Sequence, residues 1–393
     1  MRNPEFEYVD SSRKESKEQI RKSLTYWKDA WRRLKKNRLA MVGMFGVILI
    51  ILFGVVGPWF MPYSYSDQNN NFANIPPRLE IYSIGNNEYV YLSKQYNLIL
   101  VSSKGELITK LTRTNMDVLN KIYVYTYDGE DIVVDYSYRA RDNDDGIDIT
   151  VSYKGLTSEY PAKTVSNKTY RLGSDNLGRD LLTRVMYGAR ISLTVAFVAT
   201  IVNLVIGVTY GAISGLEGGL VDDIMMRIVD VINSIPLVLY VILLMVIINN
   251  RGLWTIIITL GTVYWVGMAR LVRGQVLGLK EQEYVLAART IGVPKAKIIT
   301  RHLIPNAMGP IIVSMTMMIP SAVFTESFLS FIGLGISAPQ ASWGTLANDA
   351  LPGLSTYPYQ LFIPAFAIAL TMLSFNFLGD GLRSALDPRL RKG

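Results

Sequence analysis

Asp223, Arg227 and Asp230 stand at i, i+4 and i+7 inside an otherwise apolar stretch, a spacing that puts all three on one helical face. A charge at mid-membrane costs about 2.5–3.5 kcal/mol on insertion scales, so the triad needs a reason. It could relay protons or ions. Alternatively, the three groups neutralise one another near the cytoplasmic end of their helix and serve packing or an inter-subunit contact. The second reading is preferred, because a relay normally continues across neighbouring segments and none is evident. Glu326 is another acid in an apolar stretch; near the outer end of its span it could gate, touch a partner, or simply lie at the interface. Other chemistry is narrowly bounded. The chain has no cysteine, which excludes disulfides, thiolate metal sites and cysteine nucleophiles. Its one histidine, His302, excludes a multi-histidine metal site or a haem pair, and no acid–base partner pattern surrounds it. We expect no catalytic residue and no metal.

A second constellation is Glu281-Gln282-Glu283-Tyr284-Val285-Leu286-Ala287-Ala288-Arg289-Thr290-Ile291-Gly292, continuing to Arg301-His302-Leu303-Ile304-Pro305-Asn306. It reads as a helix stopped at Gly292, a second helix opened by Pro294, and a proline break. Tyr284, Ala287, Ala288 and Ile291 fall along one side of the first helix, where the small residues would fit a partner's cleft. A short helical hairpin suits the transmission of a rigid push; an ordinary amphipathic connector is the alternative.

These residues must be carried by membrane spans. Hydrophobic residues make up 50% of the chain, charged residues only 18%, and mean hydropathy is +0.23, whereas soluble domains carry about 25% charge. Residues 39–62 hold about 20 uncharged positions, enough to cross a ~30 Å hydrocarbon core. Five further spans are expected over 191–213, 225–248, 254–276, 307–331 and 361–378. Arg32, Arg33, Lys35, Lys36 and Arg38 precede the first span, which places the N-terminus in the cytoplasm by the positive-inside rule. Six spans then return the C-terminus to the same side, with loop 278–306 cytoplasmic. The net charge of +8 is thereby explained by topology, without nucleic acid. Before the first span, Trp27, Trp31 and Leu34 share a helical face that suits an interfacial helix; a simple basic flank is equally open. No small-residue cleavage site marks the segment as a removable signal.

Between the first two spans the character changes. Lys121–Tyr127 and Ile132–Tyr138 flank Asp128-Gly129, a strong hairpin signal. With strand candidates at 89–92, 98–102, 107–112 and 148–153, residues 63–170 read as a small β-rich extracytoplasmic domain. Gly207, Gly211 and Gly215 form a GxxxGxxxG row that lets helices approach closely, and Pro236 and Pro320 are expected to kink theirs.

The hairpin resembles the EAA motif of bacterial ABC importer permeases, and EYVLAARTIG followed by IITRHLIPN is similar to the oligopeptide/dipeptide/nickel group. Gly173-Ser174-Asp175-Asn176-Leu177-Gly178-Arg179-Asp180 with Gly188-Ala189-Arg190 resembles that group's entry to the second span. Trp31-Arg32-Arg33-Leu34, the set Arg227, Asp230, Ser234 and Pro236, Leu329–Gly335 with Trp343-Gly344, and Asp380–Arg383 to Asp387–Arg389 also match. Together they resemble the C-type subunit. The likeness covers about two-thirds of the chain, residues 30–62 and 171–390. The departure is the region 63–170, which the resemblance treats as an addition; Glu283 stands at the motif's first acidic position in place of a literal Glu-Ala-Ala triplet, as is usual in this group.

This resemblance implies an all-α polytopic membrane fold of six helices, like a type I importer permease, with the β-rich insertion. The parts are a cytoplasmic segment 1–38 with an interfacial helix, a first helix at 39–62, the insertion 63–170, a five-helix core 171–380 and a cytoplasmic tail 381–393. It implies a multi-pass protein of the bacterial cytoplasmic membrane, paired with a second homologous permease, two ABC ATPases and an extracytoplasmic peptide-binding protein. No P-loop sequence occurs here, so ATP and Mg would be bound by the ATPases and the chain would carry no cofactor. Glu283, Tyr284, Ala287, Ala288 and Gly292 would meet the ATPase, with Arg301, His302 and Pro305 shaping the second helix. Peptides are the expected cargo, with nickel or another small solute as the alternative. An ion-coupled secondary transporter would need inverted repeats and buried carboxylates in several spans, and an intramembrane protease a Ser–His or Asp–Asp pair at membrane depth. Neither pattern is visible.

Overall fold

In the computed structural model, residues 26–85, 87–137, 148–248 and 252–386 are described. Helix α1 (Tyr26–Lys36) is followed by α2 (Arg38–Val55), whose start is capped by Asn37, its side chain accepting from the Ala40 amide. The amphipathic face of α1 divides: Leu34 is buried with Ala40, Leu382 and Ala385, while Trp27 and Trp31 remain about half exposed. That arrangement ties α1 to the end of the last helix, so Leu34 belongs to the helix packing and not to a lipid-facing stripe.

Among the described residues, ten antiparallel strands lie between α2 and the next helix: β1 (Arg78–Gly85), β2 (Glu88–Leu92), β3 (Leu98–Val101), β4 (Leu107–Lys110), β5 (Thr112–Asp117), β6 (Ile122–Tyr127), β7 (Glu130–Asp135), β8 (Thr150–Tyr153), β9 (Leu156–Ser158) and β10 (Lys163–Ser166). They form two five-stranded sheets, β10-β1-β2-β3-β4 and β5-β6-β7-β8-β9. Ile84, Val90 and Leu98 of the first pack against Tyr125, Ile132, Val134 and Val151 of the second. The Asp128-Gly129 turn has φ of +51° and +74° and pairs Tyr127 with Glu130. Two successive positive φ values are what a tight hairpin turn needs to match strand twist. Strands β1, β5, β9 and β10 lie outside the runs that mark the others in the sequence, apart from the first residue of β5. The other face of the first sheet buries Phe72, Ile75 and Tyr170. Burial and the neighbouring Tyr63 and Asp180 push the Tyr170 phenol up to about 12.

The helical core continues with α3 (Leu181–Glu217), α4 (Gly219–Ser234), α5 (Leu237–Ile248), α6 (Leu253–Val263), α7 (Trp265–Leu279), α8 (Glu283–Thr290), α9 (Lys295–Ile298), α10 (Ile304–Leu329), α11 (Trp343–Ala350) and α12 (Tyr359–Leu386). Among the described residues, five helical stretches are long and apolar enough to cross a membrane, and the pair α4–α5, bent by 90°, makes a sixth if counted as one span. The span expected at 225–248 is therefore broken at Ile235-Pro236. Proline cannot donate to the preceding turn and disfavours a helical residue before it; Ile235 is extended, with φ −82° and ψ 123°. Pro310 and Pro320, by contrast, lie inside the unbroken run of α10. The glycine row of α3 lies against α7: a Cβ on Gly211 would strike the Ala269 carbonyl oxygen, and one on Gly207 or Gly215 would come within 2.6–3.0 Å of Met268, Trp265, Val276 or Arg273.

Candidate functional site: the 280–306 hairpin and the polar groups of the bundle

The hairpin is punctuated as its sequence dictates. Helix α8 ends on Gly292, whose φ of +75° only glycine adopts without strain. The Gly292 amide donates to the Arg289 carbonyl and the Val293 amide to that of Ala288, the paired bonds of a Schellman stop. Pro294 opens α9, a five-residue π-helix spans Ile299–Leu303, and α10 follows with Pro305 in its first turn. Val285, Ala288, Ile298 and Leu303 bury against Ala212, Leu216, Val272 and Val276, which fixes the hairpin to α3 and α7. The opposite side is open: Tyr284 is 41% and Ile291 80% exposed, and Glu283, Ala287, Gly292, Arg301 and Pro305 are also exposed. The His302 ring is half-buried, 6.3 Å from that of Tyr284. Ala288 departs from the expected partner-facing position. It shares an arc with Tyr284 and Ala287 in projection, but it faces inward and fills the chain's own core, so it is not free to enter a partner's cleft.

The charged groups beside the hairpin also differ from the expected self-neutralised triad. Asp230 pairs with Arg270 of α7 at 2.8 Å, on an exposed surface, and not with Arg227. Asp223 and Arg227 are exposed, with no ion pair between them among the described residues. The buried acid is the adjacent Asp222, which receives Arg273 Nε and Nη2 at 2.6 Å each and the hydroxyl of Ser214. Lys280 Nζ donates to the Gly215 carbonyl at 3.0 Å, and Lys295 reaches Glu217 at 2.5 Å. The end of α3 is thus clasped to α4, α7 and α9. Arg270 and Arg273 escape a reading that treats 254–276 as uniformly apolar, and the partner role of Asp222 is lost with Arg273. The two arginines in that run are the signal that could have found them, since charges in a span need partners.

Glu326 is fully buried, which overturns an interfacial location. Its carboxyl accepts from Ser192 and Ser330 at 2.8 Å, and Ser192 also faces the Trp343 amide at 3.4 Å. No cation stands within ion-pair distance among the described residues. The acid joins α3, α10 and the start of α11, where the Trp343 indole donates to the Val185 carbonyl.

At the end of the bundle that bears the β-domain, loop 173–180 folds over α3. Asp175 takes the amides of Leu177 and Arg179 and the side chains of Arg179 and Arg184, while Asp180 caps α3 at Thr183. Burial pushes the Asp180 carboxyl up, partly opposed by its bonds from Thr183.

A bundle of membrane-capable helices with a half-exposed helical hairpin and a β-domain is the architecture of a membrane protein of the transport class that the sequence matches define. The chain belongs to the binding-protein-dependent transport permeases, the membrane subunits of ABC importers, in their oligopeptide/dipeptide C-type branch. Residues 207–392 match the binding-protein-dependent transport system inner membrane component, and residues 25–77 the N-terminal TM domain of oligopeptide transport permease C. The oligopeptide transport system permease protein OppC of Bacillus subtilis is 39% identical over 98% of this chain and 97% of its own length. The dipeptide permease DppC of the same organism is 41% identical over 95% of this chain and 88% of its own. Coverage that complete runs through residues 63–170, so the β-domain region is shared with these relatives and is not peculiar to this chain. The match to Escherichia coli OppC, at 45% identity, spans 219 residues, 56% of this chain and 72% of that protein. A chain of the MetNI methionine transporter aligns with 52% of this one and 96% of itself, with TM-score 0.41 and 20% identity. The protein is an integral membrane protein of the inner membrane.

Proposed function

We propose that this chain is the C-type permease of a peptide importer, moving di- and oligopeptides into the cell, and that the 281–306 hairpin couples it to ATP hydrolysis on partner subunits. The observation that carries the coupling role is the two-sided hairpin. Val285 and Ala288 lock α8 to α3 and α7, while Glu283, Tyr284, Ala287 and Ile291 face outward. A push on that face moves α3 and α7 as one body, the packed-helix rocking that alternating access requires. The Bacillus relatives, an oligopeptide and a dipeptide transport permease, support peptides as cargo.

In this reading the hairpin end is cytoplasmic, both termini lie on that side, and the β-domain lies outside, where it contacts the binding protein or caps the pore. The assembly holds a second, homologous permease and two ATPases. ATP and Mg bind to the ATPases, and this chain is non-catalytic. Gly292→Asp tests the coupling role. A Cβ at Gly292 meets nothing within 4 Å, so the cost is the left-handed backbone, about 1–2 kcal/mol. The variant should insert normally and lose tripeptide uptake and transport-coupled ATP hydrolysis; normal uptake would remove the hairpin from the mechanism. Replacing 63–170 by a short linker should weaken binding-protein affinity or uptake, and no change in either would sink the role of the β-domain.

A further inference from the structure

Where loop 173–180 meets the segment 330–349 there is a cavity of about 310 Å³, whose walls include Asn176, Arg179, Arg184, Ser330, Gln340 and Asp349. Its volume falls at the lower end of small-ligand sites. Two guanidinium groups dominate its chemistry, and both arginines are buried, Arg179 at 4% and Arg184 at 2% exposure.

Burying a guanidinium is costly unless its donors are used. Arg179 donates Nε and Arg184 donates Nη1, both to Asp175 Oδ2 at 2.7 Å. Asp175 is then saturated, because its other oxygen takes the amides of Leu177 and Arg179. One carboxylate therefore serves two cations. The remaining carboxylate, Asp349, stands 3.6 Å from Arg184 Nη2 and 4.0 Å from Arg179 Nη2, beyond hydrogen-bond range. Its side chain is 44% exposed. Arg184 Nε is buried with no partner among the described residues. Each guanidinium carries five N–H donors in a fork that matches a carboxylate, and Asp175 takes one side-chain donor from each.

We propose that this cavity binds a carboxylate, and that its ligand is the C-terminal carboxylate of a peptide at the outer mouth of the permease. The incoming group would bridge Arg179 and Arg184, displacing Asp349 toward solvent, while the amides of Asn176 and Gln340 face the adjoining peptide backbone. The assignment rests on the peptide reading given above. It predicts a sign for each variant. Arg179→Gln removes a charged donor pair and should weaken binding of a free-acid peptide at least ten-fold. Asp349→Asn removes a like charge a few ångströms from the ligand and should tighten binding about five-fold, the size of one such repulsion in a largely aqueous setting.

The experiment measures binding of tetra-alanine and of its C-terminal amide to the full chain in lipid nanodiscs, for the wild type and both variants. Uptake of tetra-alanine by the assembled transporter is followed in parallel. We expect the free acid to bind at least ten-fold more tightly than the amide and to respond to both substitutions, with the amide indifferent to both. Equal binding of acid and amide overturns the proposal. So does weaker acid binding in Asp349→Asn, which would place a peptide ammonium at that carboxylate. Uptake without binding of either peptide defeats this site alone, whereas neither uptake nor binding defeats the peptide reading as well. Asp349→Asn alters an exposed rim residue, so it remains informative even if Arg179→Gln fails to fold.

Discussion

Asp222→Ala is the sharpest perturbation of the clasp beneath α3. The Asp222 side chain is 9% exposed and Arg273 33%, so the pair is neither a surface bridge nor a fully buried one. Truncation removes a two-pronged charged contact and a serine bond, and leaves Arg273 without its carboxylate. Breaking a fully buried pair costs about 3–5 kcal/mol and an exposed one about 0–1, so the intermediate burial here points to about 2–3 kcal/mol. Since 1.4 kcal/mol is ten-fold in an equilibrium constant, the unfolded fraction should rise roughly 30- to 150-fold. Arg273→Ala should cost less, because the aspartate keeps the Ser214 hydroxyl. The double variant should be closer to wild type than the sum of the singles, with a coupling of about 1–2 kcal/mol, within the range for residues in direct contact. Reversible unfolding in mixed micelles provides the measurement, with peptide uptake followed alongside. Single variants each within about 0.5 kcal/mol of wild type and additive in combination would refute the clasp, since surface substitutions without special contacts fall in that band.

Gly211→Ala should destabilise by about 1–3 kcal/mol, as overpacking does, because the new methyl meets backbone of α7 and cannot be relieved by rotating a side chain; melting at the wild-type temperature would contradict the close approach. Ala287→Asp and Ala288→Asp should separate cleanly. The first leaves the chain folded but lowers transport-coupled ATP hydrolysis, while the second buries a carboxylate in the α3–α7 core and lowers the yield of folded protein. Equal behaviour of the two would mean that α8 is rotated from the orientation described. In the β-domain, the Tyr127 phenol donates to Glu88 at 2.8 Å and is pushed up to about 12 from its usual 10.0, chiefly by that bond. A raised folded-state value gives a contribution that is intact below pH 10 and is lost as pH rises toward 12. Tyr127→Phe should therefore flatten the alkaline fall in β-domain stability over that interval, and an unchanged slope would argue against the bond.

Local patterns carried a good deal of this protein. The Asp128-Gly129 turn, the Gly292 stop and the glycine row of α3 all follow from backbone sterics and residue size, which act within a few positions of the chain. The length of apolar runs likewise marked the spans, because hydrocarbon thickness sets a fixed demand. What the sequence could not decide is which group each charge meets. Asp222 and Asp223 are adjacent and chemically identical, yet one helical step of 100° turns Asp222 toward Arg273 of α7 and leaves Asp223 exposed. Ala287 and Ala288 are divided by the same step, one outward and one in the core. Glu326 gained Ser192 only when segments 134 residues apart were brought together, and Arg184 shares the aspartate of Arg179 only because loop 173–180 folds over α3. Charge pairing and burial are properties of helix faces in contact, and the rotation of each helix is set by packing against partners remote in sequence.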